Sequence, residues 1–216
     1  MFERDFIKRM IQQFAQVVAK IIYYKSRKDW EQMQMVIDVA LKQLLNINPD
    51  MLEHLTEDDL INLFRYDENI DHEKCLILGH LLYEQGQIYD NTISDAHKII
   101  RAYRHSLALL NMALQGPEFN TKENQSIALA CCDQLERFAS DAETGQSVFN
   151  FYKQLSLFSR AEDTLYTLMQ IDPSKHHALA ISFYNDLLTL DDGVLEEGNL
   201  PRDEVLEGLR KLTVKL

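Results

Sequence analysis

The sequence predicts an all-α fold built from antiparallel helical pairs. Three observations carry that expectation. Gly and Pro together make up 11 of 216 residues, about 5% against roughly 12% in an average protein. Leu, Gln, Glu, Ala and Met are abundant, and these residues favour helices. Apolar residues recur at spacings of three and four, and no run alternates apolar with polar, so no sheet is expected.

Residues 2–24 read as the first helix. Phe2, Phe6, Ile7, Met10, Ile11, Phe14, Val17, Val18, Ile21 and Ile22 form a wide apolar stripe. The opposite face is basic. Residues 1–28 hold seven basic and two acidic side chains, a balance of +5, which leaves −17 on the remainder of a chain of net charge −12. The helix is therefore expected to pack on its own acidic body. A dimer seam and a membrane-surface helix are the alternatives.

The second helix spans about Lys28 to Leu45, with Trp30, Met33, Ile37, Leu41 and Leu44 inward. Asn46 suits its left-handed stop, and Pro49 follows. After a short turn near Met51–Leu55, Thr56 caps a helix whose first turn holds Glu57, Asp58 and Asp59 at the positive end of the dipole. Asp71 opens the next helix and Gly86 is read as its stop. Gln87–Asp95 is read as a loose connection, and the partner helix runs to Gln115 before Gly116-Pro117.

Asn120 or Thr121 starts a further helix that ends near Ala139. Ser140-Asp141-Ala142-Glu143 and Ser159-Arg160-Ala161-Glu162 both have capping-box spacing and open the two helices that follow. Asp172-Pro173-Ser174 breaks the chain again. A helix with Leu179, Ile181, Phe183, Tyr184, Leu187 and Leu188 leads to a polar, flexible stretch at Asp191–Leu200. Pro201 then opens the last helix. Residues 1–216 are read as one domain.

Composition excludes several functions. A chain of net charge −12 lacks the basic footprint that nucleic acid requires. No apolar stretch reaches the length of a membrane span. The N-terminus is not expected to be a signal peptide, because Gln12, Gln13, Gln16 and Lys20 interrupt its apolar run. Three cysteines are too few for a disulfide framework, so a reduced cytoplasmic setting is expected.

Catalytic and metal motifs are missing too. There is no phosphate-binding glycine loop, no nucleophile elbow, no C-x-x-C and no H-E-x-x-H. His72, Cys75 and His80 share a helix but do not converge on one face. They read as a partly buried cysteine with two surface histidines, and His80 can pair with Glu84 one turn on. His176-His177 read as exposed, and Cys131-Cys132 as buried packing. No cofactor or metal is expected, and the chain is not expected to be an enzyme.

Tyr152, Ser156, Phe158, Ala161, Leu165, Leu168 and Pro173 fall where a tetratricopeptide repeat places its aromatics, its turn residue, its small and apolar packing residues and its closing proline. Residues 142–173 thus resemble one tetratricopeptide-like helix pair. Residues 73–118 resemble another with an enlarged connection. The resemblance implies a TPR-like right-handed α-superhelix with an atypical N-terminal half. In such repeats the first helix of each pair lines a groove, which makes Gln146, Asn150 and Lys153 the candidate binding residues. The opening Asp5-Phe6-Ile7-Lys8-Arg9-Met10-Ile11 and the late Leu200-Pro201-Arg202 also resemble a bacterial domain-of-unknown-function family. That likeness implies a cytoplasmic bacterial protein and brings no catalytic residues.

The expected function is a non-catalytic module that binds a protein or peptide, with a homodimer through the N-terminal helix as one form. The alternatives are a ligand-binding or enzymatic bundle with a polar pocket between helices, and a peripheral membrane adaptor.

Overall fold

The computed structural model describes residues 2–93, 95–138 and 142–213; the side chains of residues 2–8 lie outside it. Its helices are α1 (Phe2–Ser26), α2 (Trp30–Leu45), α3 (Pro49–Leu52), α4 (Glu57–Asn62), α5 (His72–Thr92), α6 (Ala96–Ala113), α7 (Lys122–Glu136), α8 (Ala142–Gln154), α9 (Phe158–Ile171), α10 (Pro173–Leu188), α11 (Asp192–Glu197) and α12 (Arg202–Thr213). The fold is all-α. One correction is small: Arg65–Tyr66 (β1) and Asn69–Ile70 (β2) pair antiparallel in a two-stranded ribbon, turned by Asp67 at a φ of 54°. Two-residue strands are too short for alternation to reveal them.

Where the sequence suggests one domain, the described residues group into two compact units, residues 1–134 and 135–216. In the first unit, α1 to α6 surround a core that includes Met33, Ile37, Leu41, Leu60, Cys75, Leu78 and Leu81. In the second, Phe149, Phe151, Tyr152, Phe183 and Tyr184 are all but fully buried.

Local chemistry sets the helix ends. Asn46 takes the left-handed conformation, at a φ of 55°. Thr56 and Asp59 form a full capping box. Asp71 caps α5, and Asp172 caps α10 with Pro173 in its first turn. Ser156 is left-handed at a φ of 57° and Leu157 N–H reaches Tyr152 O at 2.9 Å. That bond is the six-to-one closure of a Schellman turn. The Ser140-Asp141 capping position lies outside the described residues.

Three boundary expectations are overturned. Gly86 does not stop α5, which continues to Thr92, so most of the Gln87–Asp95 connection is helix. The glycine is there because α6 packs close: a Cβ at Gly86 would lie 2.7 Å from Tyr103 Cε1. Ser159 does not cap α9. The helix begins at Phe158, Ser159 N–H donates to Gly198 O at 3.1 Å, and Glu162 accepts from Tyr184 Oη at 2.6 Å. Asp191–Leu200 is not a loose linker. It contains α11, buries Leu195 and Leu200, and is clamped by Arg202, which pairs with Asp192 and donates to the carbonyls of Leu188 and Leu190.

Candidate functional site

The strip expected to bind lies on α8. Gln146, Asn150 and Lys153 are spaced four and three apart and share one helix face. Gln146 Nε2 donates to Asn150 Oδ1 at 3.1 Å, and Lys153 Nζ pairs with Asp186 of α10 at 2.6 Å. Beneath them Phe149 meets Phe183 edge-on, with centroids 5.5 Å apart. The aromatic contact sets α8 beside α10 and makes the polar strip continuous across two helices. Two contacts already engage its groups, one within α8 and one to α10. A bound peptide would exchange those bonds, and the exposed Lys153–Asp186 pair is weak enough to exchange.

A second surface lies on α1. Met10 and Ile21 are core, with Phe14, Val17 and Tyr24 packed against it. This inner stripe follows the three-and-four rhythm of a helix seam, so α1 does pack on its own unit. The helix is apolar over a wider arc than that unit covers, however. Ile11, Ala15, Val18 and Ile22 follow the spacing four, three, four about 100° away. Ile11 is 48% exposed and Ile22 61%. The Phe2, Phe6 and Ile7 part of the predicted stripe lies outside the described side chains. One turn beyond Ile21, Lys25 Nζ pairs with the buried Glu84 at 2.8 Å and lies over the Tyr83 ring. The expected His80–Glu84 pair does not form. His80 instead meets Phe14 edge-on at 5.4 Å, where burial and the charge of Lys25 push its pKa down to about 4.

The remaining cysteines and histidines do not assemble a catalytic group. Cys75 is fully buried rather than partly so, and burial pushes its thiol up to about 12. His72 Nδ1 lies 2.8 Å from Met112 O. Cys131 and Cys132 are buried, as packing requires, and Cys131 Sγ lies 3.2 Å from Ser106 Oγ. His176 is buried, not exposed, with Nε2 lacking a partner, because α10 turns it inward from its first turn. Among the described residues no group of His, Cys, Asp or Glu could hold a metal ion, and no helix is long and apolar enough to cross a membrane.

A polar cleft of about 190 Å³ escaped the sequence reading. Its walls come from α2, α3, α5 and α6. Gln34 Nε2 donates to Asp38 on the first wall at 2.8 Å. Opposite, Lys98 pairs with Glu53 at 3.3 Å and Arg101 Nη1 donates to Glu53 O at 2.7 Å. Tyr89 and His105 complete it. A signal existed: Leu82, Gln85 and Tyr89 recur at three and four, as do Lys98, Arg101 and His105. Reading Gly86 as a stop cut the first series.

Residues 1–216 match the sequence profile of a family of unknown function. The chain belongs to DUF6483. This confirms the likeness to a domain-of-unknown-function family over its whole length. No curated protein and no solved structure matches the DUF6483 chain.

Proposed function

We propose that this DUF6483 chain is a non-catalytic protein–protein interaction module whose docking element is α1. One observation carries the reading: the outward series Ile11, Ala15, Val18 and Ile22 has coiled-coil spacing, and Ile11 and Ile22 are about half exposed or more. Exposed apolar stripes of this kind mark partner surfaces. The partner is an apolar helix face, with α1 of a second copy as the first choice. Flanking positions on the seam are Gln12, Phe14, Ala19 and Ile21. None of these four carries charge. Spanning three turns, the described seam is about 16 Å long, which suits micromolar or weaker association.

The second unit extends the same reading. Tyr152, Phe158, Ala161, Leu165 and Leu168 are all buried where a tetratricopeptide-like pair would bury them. The strip of Gln146, Asn150 and Lys153 then serves as a peptide-facing groove. A cytoplasmic setting fits three buried cysteines that form no disulfide.

Sedimentation of the full chain from about 5 to 500 µM, beside Ile11→Gln/Ile22→Gln, tests this. The wild type should associate with rising concentration. The double variant should stay monomeric with unchanged helicity. Identical sedimentation of the two proteins would remove the self-pairing seam.

A further inference from the structure

We propose that the cleft between α2, α3, α5 and α6 binds an amino-acid-sized zwitterion, its carboxylate on Arg101 and its ammonium on Asp38. This inference is independent of the docking role of α1.

Size comes first. A cleft of about 190 Å³ has the volume of roughly six liquid water molecules. That is room for a single amino acid.

Charge selects within that size. Among the described residues Arg101 has no carboxylate in ion-pair range. Its one hydrogen bond, to the Glu53 carbonyl, orients the guanidinium without neutralising it. Among the described residues Asp38, on α2, accepts only the Gln34 amide and pairs with no cation. An unpaired cation and an unpaired anion thus face one small space. Tyr89 sits in the fields of Glu53, Arg101 and Asp38 together, which ties the three to one locus. Counting Asp38, Asp50 and Glu53 against Lys98 and Arg101, the lining is net −1. A phosphate or dicarboxylate would therefore meet excess negative charge, whereas a neutral zwitterion would not.

The third observation concerns His105. It lines the cleft at 6% exposure, and its ring makes no hydrogen bond to any described residue. Its imidazole lines the same space as Tyr89 and Gln85, where it can meet a ligand's polar atoms. Leu82 and Ala102 provide an apolar floor for its carbon chain.

The test is calorimetry and thermal shift on the full chain with the twenty proteinogenic amino acids. Inorganic phosphate and the N-acetyl and amide derivatives of any binder are run alongside. At least one free amino acid should raise the melting temperature. Acetylating its amine, amidating its carboxylate, or substituting Asp38→Asn or Arg101→Met should each weaken binding about 10- to 100-fold, the range expected for one lost charge-assisted bond. The derivatives act on the wild-type protein, so misfolding of a variant cannot mask the result. If no amino acid binds at 5 mM, if the blocked derivatives bind as well as the parent, or if phosphate alone binds, the proposal is overturned.

Discussion

Gly86 lies against the ring of Tyr103, so close that a Cβ would meet Cε1 at 2.7 Å and Cδ1 at 2.9 Å. The ring cannot swing away cheaply, because it is fully buried and its hydroxyl accepts from Gln87 Nε2 at 2.7 Å. Gly86→Ala tests the balance directly. Helix propensity alone would add about 1 kcal/mol of stability. Overpacking costs about 1–3 kcal/mol, and we expect it to win. Thermal melts should show a lower melting temperature, by about 2–4 °C per kcal/mol lost. A rise would show that Tyr103 relaxes freely.

Lys25 and Glu84 join α1 to α5 at 2.8 Å, with the Glu84 side chain only 9% exposed. Lys25→Met should strand a buried carboxylate and cost about 3 kcal/mol or more. Lys25→Met/Glu84→Gln should recover most of that. Chemical denaturation of the wild type, both single variants and the double variant measures the coupling.

Glu73 is 6% exposed, with Oε1 lacking a partner. Burial, and then the neighbouring charge of Asp71, push its pKa up to about 7 from 4.5. The folded state therefore holds this proton more tightly than the unfolded state does. The stability it contributes is full below pH 4.5 and is lost as pH rises through 7. Glu73→Gln should melt higher than wild type at pH 8, by roughly 4 °C or more, and at the same temperature as wild type at pH 4.5. An equal shift at both pH values would rule out this ionisation.

His80 and His105 act in the opposite direction. Burial first, then Lys25 for one and Arg101 and Arg104 for the other, push both down to about 4 from 6.5. Their neutral forms support the fold above pH 6.5, and that support is lost as pH falls toward 4. His80→Gln should flatten the melting profile between those values. A slope unchanged from wild type would assign the acid sensitivity elsewhere.

Cys75 and Cys131 are fully buried, and desolvation pushes both thiols up to about 12. A disulfide-exchange reagent at pH 8 should label them only when the chain opens. Labelling rates should therefore rise with denaturant in step with unfolding. Rapid labelling in native buffer would contradict this burial.

The helices were legible because their signals are local. Apolar periodicity and the caps at Asn46, Thr56, Asp71 and Asp172 depend on neighbours within about one turn. Misreadings arose where a residue serves a distant partner. Gly86 looks like a stop and is a contact site for Tyr103. Ser159 looks like a cap and binds Gly198. Glu84 and His80 are one turn apart, yet each is held by α1. The candidate strip on α8 was legible as a face, but the role of Asp186 as partner of Lys153 was not, because α10 supplies it.

By itself the sequence determined the class of the fold, most helix boundaries and the excess apolar width of α1. Each follows from hydrogen bonding and side-chain spacing along one segment. The tertiary structure alone decided which part of that width stays exposed, and which glycines mark close approach rather than an end. It also brought Asp38, Tyr89, Arg101 and His105 around one cleft. Those outcomes depend on how separate helices meet, and contacts between residues tens of positions apart leave no periodic trace in the chain.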